Sequence, residues 1–129
     1  GVSEEVSSFV LPLGATINMD GTALYQAVAA VFISQAIGLD LSLLDQLTIV
    51  VTTVLASIGT AAVPGAGIIM LVIILEAIGV PSSGIALILG VDRILDMLRT
   101  VINVSGDATI AITIASSEGQ LKAPKEVAD

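Results

Sequence analysis

The 129-residue sequence has no cysteine, no histidine and no tryptophan. The missing Cys excludes disulfides and thiolate chemistry, and the missing His excludes imidazole metal sites and His-based nucleophilic catalysis. No other nucleophile–base pair or open metal site is evident, which argues against an enzyme. Charge is also scarce: 12% of residues are charged, about half of what soluble domains carry. Only four Lys and Arg stand against twelve Asp and Glu, a net charge of −8. So few bases cannot build a phosphate-binding surface, and nucleic acid is excluded as a partner. The acids are spread along the chain and form no acidic tail.

Apolar side chains take up the remainder. Hydrophobic residues make up 55% of the chain, and its mean hydropathy is +1.04. This is the composition of membrane protein material. Residues 1–8 read as a polar lead-in with no basic leader, and the absence of an initiator Met predicts a start inside a longer protein. Residues 9–39 are mostly apolar, but "GATINMDGT" (14–22) interrupts them with residues that helix interiors disfavour. The pattern predicts a helix, an unwound stretch and a second helix. "GLDLS" (38–42) is a break, with Asp40 or Ser42 as the N-cap of the next helix. Residues 43–58 predict a helix of about 24 Å, marginal against a hydrocarbon core of about 30 Å. "GTAAVPGAG" (59–67) separates it from a second short apolar helix over 68–78. Two short apolar helices around a Gly/Pro tip predict a re-entrant hairpin, non-helical backbone at membrane depth being tolerated only against protein or a wet cavity. An ordinary two-span hairpin is the alternative. "GVPSSG" (79–84) is a loop, and one long helix is expected over 85–115. Residues 116–129 are polar, with Lys122, Pro124 and Lys125, and are expected to fray. The lysines favour a cytoplasmic C-terminus.

The last helix carries "LGVDRILDMLRTVINVSGD" (89–107), unusually charged for such apolar surroundings. At about 100° per residue, Asp92, Asp96, Arg99, Asn103 and Asp107 share a stripe about 80° wide. Arg93 lies off it and is expected to snorkel. An amphipathic surface helix would also carry a stripe, but the other faces here are too apolar for that. Ionisable residues in a membrane helix face a bundle interior and mark a substrate or ion path. Asp96 and Arg99, three apart, can compensate each other. The planar fork of Arg99 suits a carboxylate ligand. The interrupted segments expose carbonyls for a cation such as sodium and N–H groups for a carboxylate; Asn18, Asp20 and Asp107 add hard oxygens.

"NMDGT" (18–22), "ASIGTAAVPGAG" (56–67) and "DMLRTVINVSGD" (96–107) together closely resemble the sodium-coupled glutamate/aspartate transporter family, which includes the excitatory amino acid transporters and their prokaryotic homologues. The motifs keep the family's order and spacing across nearly the whole chain. The resemblance implies an all-α membrane protein representing only the C-terminal part of a transport domain. Its parts would be a broken transmembrane helix (1–39), a re-entrant helical hairpin (43–78), a long polar-striped transmembrane helix (84–115) and a polar tail (116–129). Family members are several times longer and trimeric. Their first hairpin, with its serine-rich tip, and their scaffold helices have no counterpart in these residues.

By the same resemblance Arg99 would meet the substrate's side-chain carboxylate, with Thr22 and the Gly67 backbone nearby. Asp96 would bind the ammonium, helped by the Val63 carbonyl. Asn103 would contact the α-carboxylate, and Thr100 would line the pocket. One sodium ion would use the carbonyls of Gly14, Asn18 and Asn103 with the Asp107 carboxylate. A second would lie among the carbonyls of Thr16, Ser57, Ile58 and Thr60, and a third would involve Asn18 and Asp20. The tip around residues 63–65 would be the gate. Gln26 stands where proton-carrying, potassium-exchanging animal members have Glu, which implies sodium-only coupling.

The expected function is therefore the substrate- and sodium-binding portion of a secondary symporter for aspartate or glutamate, set in the plasma membrane. A neutral amino acid or C4-dicarboxylate symporter is the alternative within this class. Outside it stands a non-transporting fragment or engineered bundle that keeps the fold.

Overall fold

The computed structural model describes residues 1–123, and these are helical apart from short connections and one isolated antiparallel bridge between Val2 and Leu121. The expectations for Pro124 and Lys125 lie outside the described residues. The helices are α1 (Glu4–Ile17), α2 (Asp20–Ala36), α3 (Leu43–Gly59), α4 (Ala66–Ala77), α5 (Ala86–Leu89) and α6 (Asp92–Ser117), with a 3₁₀ turn over Ser82–Ile85 before α5.

The polar lead-in is helical from Glu4 onward. Ser3 caps α1 by accepting the Val6 N–H at 3.3 Å, and Glu4 and Glu5 suit the positive end of the helix dipole. The interruption expected over 14–22 shrinks to Asn18 and Met19. Gly14 to Ile17 stay helical, and the Asn18 N–H closes the last turn on the Gly14 carbonyl at 2.9 Å. α2 restarts at Asp20, whose carboxylate again sits at a helix N-terminus.

Ser42, rather than Asp40, caps α3. Its hydroxyl accepts the Asp45 N–H at 3.2 Å, while the Asp45 carboxylate accepts the Ser42 N–H at 2.9 Å, a reciprocal capping box. Between α3 and α4 the chain turns through 60–65. Gly65 has φ +83°, a left-handed conformation that a residue with a Cβ rarely adopts. α4 stops in a Schellman turn: Val80 N–H reaches the Leu75 carbonyl at 2.8 Å and Gly79 N–H the Glu76 carbonyl at 3.1 Å.

The single helix expected over 85–115 is divided. At the junction the Val91 N–H reaches back three residues to Ile88 (3.1 Å), and the Ile94 N–H does the same to Val91 (3.0 Å). Gly90 is a weak helix former, and Asp92 gives the new helix an acid in its first turn. α6 then runs for 26 residues, two past the expected end.

α2 is the central element and packs against α3, α4 and α6. Tyr25, Ala29, Ala30 and Ile33 on α2 meet Ile49 and Ala56 on α3, and Leu71, Ile74 and Leu75 on α4. Small residues let the backbones approach closely: a Cβ on Gly84 would run into Ile33. A second cluster, Val6 and Val10 with Ala111 and Ala115, lays α1 along α6. Residues 1–3 and 120–122 meet there, with the Lys122 N–H on the Gly1 carbonyl at 2.7 Å and the Ser3 hydroxyl on Gln120.

Much of the apolar surface remains outside these clusters. Phe9, Leu43, Leu44, Leu55 and Ile69 are largely exposed. No helix among the described residues is long and apolar enough to cross a membrane. α3 and α4 are short, and the polar residues along the long α6 keep its hydropathy low.

Candidate functional site

A cavity of about 220 Å³ lies between the α3–α4 tip and the polar stripe of α6. Its walls come from three places. The tip supplies residues 60–64, α6 supplies Asp96, Arg99, Thr100, Asn103, Val104 and Asp107, and the α1–α2 junction supplies Gly14, Ala15, Met19 and Thr22. Gly67 closes it at the start of α4.

Arg99 is 5% exposed and is held on three sides. Its Nη2 bonds the Asp96 Oδ1 at 2.7 Å and lies 3.6 Å from the Asp92 Oδ1. Its Cζ stands 4.0 Å from the centre of the Tyr25 ring, within cation–π range. The Tyr25 hydroxyl in turn donates to the Asp92 Oδ1 at 2.9 Å. The guanidinium is thus neutralised and clamped by its own helix and by α2. Yet the buried Nη1 has no hydrogen-bond partner, and it points at Gly67, where a Cβ would collide with it. A buried cationic donor left unpaired is costly. An acceptor entering beside Gly67 would satisfy it.

Asn103 is occupied differently. Its Oδ1 accepts the Gly21 N–H at 2.8 Å, one of the orphan donors at the start of α2, and its Nδ2 donates to the Thr22 hydroxyl at 3.1 Å. It fixes the α1–α2 junction against α6. Thr100 bonds back to the Asp96 carbonyl at 2.9 Å while lining the cavity.

Asp107, two turns further on, is 8% exposed. The Asn18 Nδ2 donates to its Oδ1 at 2.8 Å, and Gly14 lies so close that a Cβ there would strike the carboxylate. Among the described residues no lysine or arginine pairs with it. A buried carboxylate without a cationic partner is unfavourable until a positive charge arrives. A carboxylate is a hard oxygen ligand of the kind small cations take; the Asn18 amide meets it through its nitrogen.

All seven residues expected at the substrate, namely Arg99, Asp96, Asn103, Thr100, Thr22, Val63 and Gly67, line the one cavity. The residues expected at sodium divide. Gly14, Thr60, Asn103 and Asp107 line it, whereas Thr16, Asn18, Asp20, Ser57 and Ile58 do not. Asn18 still reaches Asp107. The hydroxyls of Ser57 and Thr60 are turned back onto the Val54 and Ala56 carbonyls, at 2.9 and 2.5 Å. Thr16 bonds the Leu13 carbonyl at 2.9 Å, Asp20 is exposed, and the Ile58 side chain points outward. No group of three or more carboxylates among the described residues is arranged to hold a metal ion.

Sequence reasoning gave no role to Tyr25 and placed Asp92 on the stripe without a task. Tyr25 could have been found from its position: it follows Thr22 by three residues and precedes Gln26, so all three lie near one face of α2. Gln26 is fully buried, and its Nε2 lies 3.4 Å from the Gly67 carbonyl, which ties α2 to the second arm of the tip.

Comparison with known proteins agrees with the resemblance carried by the three motifs. The model of the sodium:dicarboxylate symporter family matches residues 1–117. The chain is 57% identical over 107 residues to excitatory amino acid transporter 3 of Mus musculus, covering 83% of this chain and 20% of the relative. It is 55% identical over 108 residues to an excitatory amino acid transporter of Caenorhabditis elegans, 84% and 22% respectively. Against the proton/sodium-glutamate symport protein of Bacillus subtilis (strain 168) it is 45% identical over 125 residues, 97% and 29%. The chain therefore spans 20–29% of the length of these curated relatives.

Proposed function

We propose, given that the chain belongs to the sodium:dicarboxylate symporter family, that it forms the substrate- and sodium-binding portion of a secondary active symporter for acidic amino acids. The chemistry is recognition and release across a membrane; members of a symporter family are transporters, and this chain is not an enzyme. The observation that carries the reading is the unpaired, buried Nη1 of Arg99, which lies against Gly67 in the wall of a cavity that Asp96 also lines. A fixed cation and a fixed anion in one small chamber match a solute with a carboxylate at one end and an ammonium at the other. The chamber, at about 220 Å³, is below the ~300–1,000 Å³ of drug-sized sites, which favours a small metabolite.

In this reading the side-chain carboxylate of aspartate or glutamate pairs with Arg99 beside Gly67 and Thr22. Its ammonium meets Asp96 near the Val63 carbonyl, and its α-carboxylate approaches Asn103, with Thr100 completing the wall. Sodium neutralises Asp107 with the help of oxygens from Gly14, Asn18 and Asn103. Further sodium ions use carbonyls of Thr16, Ser57, Ile58 and Thr60, and oxygens of Asn18 and Asp20. Each ligand raises the affinity for the other by the same factor, which is what couples their movement. Gln26 does not titrate, which supports coupling to sodium without a proton.

The helix lengths support the membrane reading. α3 has 17 residues and α4 has 12, about 25 and 18 Å, each short of a hydrocarbon core of about 30 Å. They form a re-entrant hairpin whose tip, 60–65, is the gate. α1 and α2 are the two halves of a broken membrane helix, and α6 crosses with its stripe turned inward. The exposed apolar faces meet lipid and the remainder of a longer, trimeric polypeptide, in the plasma membrane with the C-terminus cytoplasmic.

The test is calorimetric titration of L-aspartate into the full-length polypeptide with saturating sodium. Arg99→Ala is expected to weaken binding by about 100-fold or more, as loss of a buried charge partner does. Unchanged affinity would remove Arg99 from the role and the reading with it. A neutral amino acid carrier would keep its affinity in Arg99→Ala, and a dicarboxylate carrier would keep it in Asp96→Asn.

A further inference from the structure

Asp96 has two carboxylate oxygens, and both are engaged. Oδ1 is held by Arg99 at 2.7 Å. Oδ2 faces the Nη1 of Arg93 at 3.8 Å. The two arginines are unlike in every other respect. Arg99 is buried, clamped by Asp92 and stacked on Tyr25. The Arg93 side chain is 78% exposed, and among the described residues its only ion pair is with Asp96. Its location is also poor for a cation: it lies in the first turn of α6, whose dipole repels positive charge. At 3.8 Å the contact is an ion pair without hydrogen-bond geometry, and exposed pairs of this kind are weak and easily replaced.

We infer that Arg93 is a specificity-determining residue. It fills the free oxygen of Asp96 when no substrate is bound and yields it to the ammonium of an amino-acid substrate. The inference rests on the reading that Asp96 receives that ammonium. Arg99 fixes which oxygen stays available, and Arg93 sets how strongly it must be competed for. With Arg93 in place, the cluster of Asp92, Asp96, Arg93 and Arg99 is electrically balanced. An incoming ammonium displaces Arg93 towards solvent and takes over its charge. A dicarboxylate without an amine gains nothing from that exchange; it is best served when Arg93 stays and neutralises Asp96. Arg93 therefore sets the relative affinity for amino acids and plain dicarboxylates, without touching either carboxylate subsite.

The experiment measures L-aspartate and succinate binding by calorimetry at saturating sodium, on the full-length polypeptide and its variants Arg93→Gln, Arg93→Lys and Asp96→Asn. Arg93→Gln is expected to bind aspartate about two- to five-fold more tightly, and to bind succinate more weakly. Arg93→Lys keeps the charge and is expected to stay near wild type. Aspartate affinity that is unchanged or weaker in Arg93→Gln overturns the inference, and the aspartate result decides alone if succinate heat is too small to read. Asp96→Asn separates the two levels. If it abolishes aspartate binding while Arg93→Gln has no effect, only the inference fails. If Asp96→Asn binds aspartate like wild type, the reading of Asp96 fails first and the inference falls with it.

Discussion

Arg99 and Asp107 lie eight residues apart on the same stripe of α6, and both are buried. Their surroundings are opposite. Arg99 is surrounded by compensation: two aspartates, an aromatic face and the Tyr25 hydroxyl that orients one of them. Asp107 has an amide from Asn18 and the close backbone of Gly14, but no cation among the described residues. One end of the stripe is balanced in charge and retains a single unsatisfied donor. The other is left negative. A balanced cluster can discriminate among ligands by geometry, because a ligand must match both its signs. An unbalanced one responds to charge, because any small hard cation that fits relieves it. In the proposed function the acidic amino acid meets the Arg99 end and sodium the Asp107 end, which is the division this contrast favours.

Asp107→Asn should break the contrast most severely. The amide keeps the size but removes the charge, so sodium affinity measured without aspartate is expected to fall about ten-fold or more. Undiminished sodium binding would mean that Asp107 is not the cation's partner. Next come the two glycines that crowd these side chains. Gly67→Ala places a methyl against the Arg99 guanidinium. Overpacking of this kind is expected to weaken aspartate about ten-fold and to leave sodium binding in the absence of aspartate near wild type. Gly14→Ala, which crowds Asp107, should do the reverse in the same pair of titrations. If both glycine variants lower both affinities equally, the two ends are not separable. The smallest effect belongs to Tyr25→Phe. It keeps the ring under Arg99 and removes only the hydrogen bond to Asp92, so aspartate affinity should drop about two- to five-fold. Tyr25→Leu, which also loses the cation–π contact, should cost more. Equal values for the two variants would show that the ring face contributes nothing.

The stripe itself was legible in the sequence because helical periodicity is local. Asp92, Asp96, Arg99, Asn103 and Asp107 all fall within α6, and Arg93, off the stripe, is exposed. The compensation of Arg99 by Asp96 was readable for the same reason, a spacing of three. The interruption at 14–22 was readable in place but not in extent. Gly, Thr and Asn weaken a helix individually, yet the packing of α1 on α6 through Val6, Val10, Ala111 and Ala115 keeps 14–17 helical. The break before Asp92 was not foreseen, since an isolated Gly90 in an apolar run is usually tolerated. Nothing local in the sequence marks Tyr25 as a cation's partner; only the juxtaposition of α2 and α6 makes it a platform for a guanidinium. The contact of Gln26 with the Gly67 carbonyl and the closure of Ser3 on Gln120 are likewise tertiary facts with no local pattern. Ser57 and Thr60 illustrate the converse: their hydroxyls donate to carbonyls of the preceding turn, a pattern local to α3.

The most direct measurement is the aspartate dissociation constant of the full-length polypeptide as a function of sodium concentration, at constant ionic strength with choline as the replacing cation. Filling the Asp107 end and the Arg99 end of one cavity together predicts an affinity that climbs steeply with sodium and collapses in its absence. An aspartate affinity that is the same in sodium and in choline would contradict that account.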